Sequence, residues 1–137
     1  MKLHYRLFSS VWITLFLMSF SNAQDVFITA GTTISSSGAA IINFGSGTVT
    51  NNGVIANSDG TLIFSGPGAF SGAGTTHTKN LTVAHSGTSV LNNTIEVTGS
   101  LLVSSGTLNA NDRLTLVSNA AGSAVVAPVG YVTYSFF

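Results

Sequence analysis

A chain of 137 residues with four Lys or Arg, four Asp or Glu and no net charge has room for one domain. Its charged fraction is 6%, against roughly 25% in an ordinary soluble domain, and it has no cysteine. Disulfide scaffolds, thiolate metal sites and thiol nucleophiles are thereby excluded, and so is electrostatic binding of nucleic acid, which needs a row of basic residues. With 45% hydrophobic residues, this is not the composition of a disordered chain.

Met1 to Ala23 reads as a secretory signal peptide. Lys2 and Arg6 form a positive n-region, Leu7 to Phe20 an apolar h-region, and Ser21-Asn22-Ala23 a small-residue cleavage site before Gln24. The apolar run is short for a membrane span, which needs about 20 residues. The expectation is therefore an exported chain, placed in the periplasm, on the outer-membrane surface or outside the cell, with no stable membrane insertion once the signal is removed. About half of the residues after Ala23 are Gly, Ser, Thr or Asn, the composition of short strands broken by tight turns. No segment has helical apolar spacing.

From residue 40 onward the sequence repeats. An apolar pair at alternate positions followed by Ser-Gly occurs at Ile42/Phe44 with Ser46-Gly47, Leu62/Phe64 with Ser65-Gly66, Leu81/Val83 with Ser86-Gly87, and Leu101/Val103 with Ser105-Gly106. Each Ser-Gly leads to a second short element, in three copies ending in Asn51-Asn52, Asn92-Asn93 or Asn111-Asp112. One copy ends instead in Ser71-Gly72-Ala73-Gly74. A third element comes next: Val54-Ile55, Thr75 to Thr78, Ile95 with Val97, Leu114 with Leu116. Turns at Asn57 to Gly60, Lys79-Asn80, Gly99-Ser100 and Ser118 to Gly122 close the copies.

Strands of three to five residues are too short for a free-standing sheet. Stacked copies solve the problem, each strand pairing with its equivalent in the next copy. The fold class is thus all-β, a parallel β-solenoid of five to six rungs over residues 24–137. Ile42/Phe44, Leu62/Phe64, Ile95/Val97 and Leu114/Leu116 are expected inward. Corner Asn and Gly are expected to supply left-handed backbone and, for Asn, amide bonds from rung to rung. The rival is an antiparallel sandwich, for which Asn52-Gly53 and Asp59-Gly60 are hairpin signals.

Asn111 to Ala124, with its lead-in Gly106 to Asn109, resembles a recurring element of Bacteroidetes-type secreted repeat proteins, adhesin-like β-solenoids exported by the type nine secretion system. The resemblance implies export and surface contact without shared catalytic residues. Family members carry a C-terminal sorting domain. None is recognisable up to Phe137, so the resemblance implies a truncated or frameshifted product, or a short relative.

Candidate chemistry is sparse. Asp25, Asp59, Glu96 and Asp112 fall at different corners, whereas a glycosidase needs two carboxylates facing one cleft. Glu96, between Ile95 and Val97, should face solvent. The spacing of His77 and His85, with a turn between them, allows them to face each other, but no Cys, Asp or Glu nearby completes a zinc site, so ordinary exposed or partly buried histidines are expected. No catalytic, cofactor-binding or metal residue is expected, and no cofactor. The function expected is a non-enzymatic, adhesin-like surface module whose partner is a surface or glycan. The alternatives are a carbohydrate-active β-helix enzyme and an ice-binding solenoid. For the last, Thr48/Thr50 and Thr76/Thr78 have the required form but sit on different elements. In the last rung Ala124 and Val126 are expected inward, Pro128 ends that strand, and Tyr131 to Phe137 forms an imperfect cap that leaves the chain prone to self-association.

Overall fold

A computed structural model describes residues 24–117, 125–126 and 130–133; the signal-like segment Met1 to Ala23, the turn from Ser118, Ala124, Pro128 and the Phe136-Phe137 end lie outside the described residues. The chain is a parallel β-solenoid of about five turns with a repeat near 21 residues. Every strand pairing among the described residues is parallel. That replaces the sandwich, whose hairpins would pair antiparallel. Asn52-Gly53 and Asp59-Gly60 turn corners of the stack.

Each turn has three faces. The first rung is β1 (Val26–Ile28), β2 (Thr33–Ser35) and β3 (Ile41–Phe44), one strand per face. The second is β4 (Gly47–Asn51) on the first face and β5 (Val54–Phe64), which covers the other two. In the third, β6 (Gly68–Ser71) is followed by β7 (Thr75–Leu91), which runs through the second and third faces and on into the fourth rung. β8 (Ile95–Val97) and β9 (Leu101–Asn109) complete the fourth rung and enter the fifth. β10 (Leu114–Leu116) and β11 (Val125–Val126) finish the fifth, and β12 (Tyr131–Thr133) starts a sixth.

Separate strands of three to five residues are thus only part of the picture. β5, β7 and β9 bend through corners without losing their partners, because corner residues in a stack still lie above and below one another. The cost is a register shift at the bend, between Asn57 and Thr61 in β5 and around Ala84 in β7.

The core follows the repeat. On the third face Ile42, Leu62, Leu81 and Leu101 lie in register, as do Phe44, Phe64, Val83 and Val103. Leu62, Leu81 and Leu101 are fully buried, each such side chain contributing about 1.5–3 kcal/mol. On the second face the column runs Ile34, Ile55, Thr76, Ile95, Leu114. The expected inward pairs hold from Phe44 to Val97 but weaken at β10, where Leu114 is half-buried and Leu116 is 38% exposed; β10 has no strand above it among the described residues. In the fifth rung Val125 pairs with Leu101 and Val126 with Leu102.

Inward positions of the first face are filled in compensation for the third. Gly47, Gly68, Ser89 and Leu108 lie in register, next to a column that changes from Phe to Phe to Val to Val. The missing side chains of Gly47 and Gly68 leave room for Phe44, Phe64 and Phe70, whose ring centroids are 5.9–6.2 Å apart, within the favourable range for aromatic pairs. The residual void there is about 10 Å³. Gly47 also has φ +120°, a backbone state that L side chains rarely adopt.

Candidate functional site

The corner between the first and second faces changes length partway up the stack. In the third rung six residues lie between Phe70 and His77, and in the fourth four lie between Leu91 and Glu96, although both pairs of end points are in register. Ser71-Gly72-Ala73-Gly74 bulges out below; Asn92-Asn93-Thr94 cuts the corner above. Between them lies a shallow notch of about 280 Å³, lined by Ala73, Gly74, Thr75, Thr76, His77, Asn93, Thr94 and Glu96.

Its floor is held by amide side chains. Asn51 Nδ2 donates to Thr75 O and Thr76 Oγ1, both at 3.0 Å, and Asn93 Nδ2 donates to Gly74 O at 3.0 Å. Asn93 Oδ1 accepts the Thr94 amide at 2.7 Å. Both Asn side chains are buried, and buried amides need such partners. The rim is polar: Thr75, Thr94 and His77 are exposed and Glu96 is half-exposed. His77 Nδ1 and Glu96 Oε1 are 3.5 Å apart across adjacent rungs. Glu96 is the one carboxylate among the lining residues, and it faces outward as its alternation requires.

The remaining acids are dispersed. Asp25 accepts the Thr48 amide at 2.8 Å. Asp59 lies at the corner between second and third faces, and Asp112 at the corner between first and second. Among the described residues no three of His, Asp and Glu come together as a metal site would require, and no helix is long and apolar enough to cross a membrane.

His77 and His85 do not face each other. Thr78 and Leu81 are both buried although three residues apart, so the corner at Lys79-Asn80 shifts the in–out alternation by one. His77 therefore points outward and His85 inward. His85 Nδ1 accepts the Gly87 amide at 3.0 Å, and its Nε2 lies 2.8 Å from Ser89 Oγ. The proton of the neutral ring is then on Nε2, donated to Ser89, and burial lowers the His85 pKa.

Thr76 and Thr78 are inward too, at 3% and 0% exposure. Thr78 Oγ1 donates to Asn80 O at 3.0 Å, while Thr48 and Thr50 lie outward on the first face. The two Thr-x-Thr runs thus lie on opposite sides of the wall. Corner Asn residues act mainly through side chains. Asn111 Nδ2 donates to Asn92 Oδ1 at 3.3 Å, and Asn52 Oδ1 accepts the Ala73 amide at 3.0 Å. Outside glycine, left-handed backbone appears at Asn111 and Asp112, with φ 50° and 55°.

Comparison of the chain with protein-family models, with curated proteins and with solved structures finds no match.

Proposed function

We propose that the chain is an exported, non-enzymatic β-solenoid module of adhesin type that touches hydroxyl-rich surfaces, glycans above all, at the notch on its second face. The observation that carries this reading is the rim itself. Two threonine hydroxyls, an imidazole and one carboxylate stand around a shallow opening on a rigid wall. Such groups exchange hydrogen bonds with sugar hydroxyls, and the shallowness suits weak contact repeated along a surface rather than enclosure of a small substrate. Export rests on the signal-like character of Met1 to Ala23, and adhesin type on the resemblance carried by Gly106 to Ala124.

A glycan array and whole-cell binding test it, using the chain and its Glu96→Ala and Thr94→Ala variants. Weak binding is expected, reduced about tenfold by Glu96→Ala, the magnitude for losing one hydrogen bond to a charged group. Absence of binding to every glycan and cell surface, or measurable turnover of a polysaccharide, overturns it. Thermal hysteresis in the same preparation points instead to ice as the surface.

A further inference from the structure

The corner between β4 and β5 carries Asn52-Gly53, the one Asn-Gly pair in the sequence. Asparagine before glycine is especially prone to spontaneous deamidation, because glycine has no side chain to keep its backbone nitrogen away from the preceding amide carbon. The packing calls for both residues. A Cβ at Gly53 would meet the carbonyl oxygens of Thr29 and Thr32 in the rung below. Asn52 Oδ1 accepts the Ala73 amide of the rung above at 3.0 Å.

The same corner holds the pair shut. Gly53 is buried, and its N–H donates to Asn51 Oδ1 at 3.0 Å. Asn51 is itself fixed, its Nδ2 donating to Thr75 O and Thr76 Oγ1 at 3.0 Å. On the main chain, Asn52 N–H donates to Ile28 O at 2.8 Å, Val54 N–H to Thr32 O at 2.9 Å and Thr75 N–H to Gly53 O at 3.0 Å. Deamidation needs a Gly53 nitrogen free to lose its proton and an Asn52 side chain free to turn toward it. These bonds withhold both.

We propose that Asn52 is a modification site gated by the fold, silent in the closed stack and converted to isoaspartate when the first and second rungs separate. Once released and deprotonated by solvent base, Gly53 N attacks Asn52 Cγ. The N–Cγ bond forms, the Cγ–Nδ2 bond breaks, and ammonia leaves with the proton, giving a five-membered imide. Water then opens the ring. Attack at Cγ gives aspartate, whereas attack at the main-chain carbonyl leaves the peptide running through Cβ and Cγ as isoaspartate. One water is consumed and one ammonia released. Isoaspartate adds a methylene to the main chain at a corner with no room even for a Cβ, so this corner does not reclose and the opening becomes irreversible. The inference rests on the corner alone and not on the function proposed for the notch.

Peptide mapping with detection of isoaspartate tests it, on the full chain incubated at mildly alkaline pH in native buffer and in guanidinium chloride. Conversion at Asn52 is expected to be at least about tenfold slower in the folded chain, an opening free energy of about 1.4 kcal/mol or more. Hydrogen exchange at the Gly53 amide reads the same nitrogen. Exchange needs release of the N–H alone, whereas deamidation needs release and rotation, so protection against deamidation is expected to equal or exceed protection against exchange. After return to native buffer, chains carrying isoaspartate are expected to leave the Val54 amide unprotected, while unmodified chains regain its protection. Equal rates of conversion in the folded and unfolded chain overturn the proposal. So does protection against deamidation smaller than against exchange, or an isoaspartate chain whose Val54 amide is as protected as that of the unmodified chain.

Discussion

Gly68 shows how tightly the rungs approach. A Cβ built there meets the carbonyl of Gly47, directly below it in the ladder. The obstacle is backbone, which cannot swing aside as a side chain can. Gly68→Ala is therefore expected to destabilise the fold by about 1–3 kcal/mol, the cost of overpacking a filled interior, read as a lower urea midpoint at unchanged slope. His85 makes a different prediction. Its pKa is lowered by burial, so between that lowered value and the ordinary His value of about 6.5 the unfolded chain binds a proton that the folded chain does not. Stability is complete above the unfolded pKa and is lost as pH falls through this window. Protonation places a hydrogen on Nδ1, where the Gly87 amide now donates. Urea unfolding from pH 7.5 to 5 is expected to show this decline in the unaltered chain and a shallower one in His85→Asn. Equal slopes in the two proteins refute it.

At the scale of strands, pairing is uneven. Between third and fourth rungs the second face is held by two register pairs, His77 with Glu96 and Thr78 with Val97, whereas the third face continues through Leu81, Thr82 and Val83. Local opening depends on such differences in ladder continuity. Amide hydrogen exchange at Glu96 is therefore expected to be faster than at Thr82, its counterpart on an outward position of the third face. Equal protection at the two positions contradicts this. The elements themselves were legible because the sequence repeats what stacks: Ser-Gly marks one corner four times, and the pairs from Ile42/Phe44 to Leu101/Val103 land in one column. The notch was half legible, since the four-residue Ser71 to Gly74 against the two-residue Asn92-Asn93 is a visible difference in length. Its meaning as a step needs the register of β6 and β7, which spacing alone does not fix. The inward direction of His85 was not legible, because alternation predicts a direction only within a straight run and the corner at Lys79-Asn80 resets it. Threonine adds its own ambiguity, since it has the shape of valine and sits in an apolar column wherever an Asn such as Asn51 meets its hydroxyl.

Across the whole molecule, stability is built by neighbours. Of the rungs described, the middle ones hold the fully buried residues Ile55, Leu62, Leu81, Val83, Leu91, Ile95 and Val103, while inward positions toward the ends are less covered, Ile34 and Ile42 being half-buried and Leu116 38% exposed. In a linear stack each rung interacts with the two beside it, and the total is close to a sum of rung and interface contributions. The outer rungs described, each with a described neighbour on one side only, are then the least secure.

The shortened corner has a mechanical consequence. Ladder hydrogen bonds run along the stack axis, so a pull between the two ends loads successive junctions in series, and the weakest sets the strength of the whole. On the second face that junction is the notch, bridged by two register pairs. The covalent strand β7 passes from the third rung into the fourth on the opposite side. A pull along the axis is therefore expected to open the second face first at the notch, with β7 as the covalent hinge.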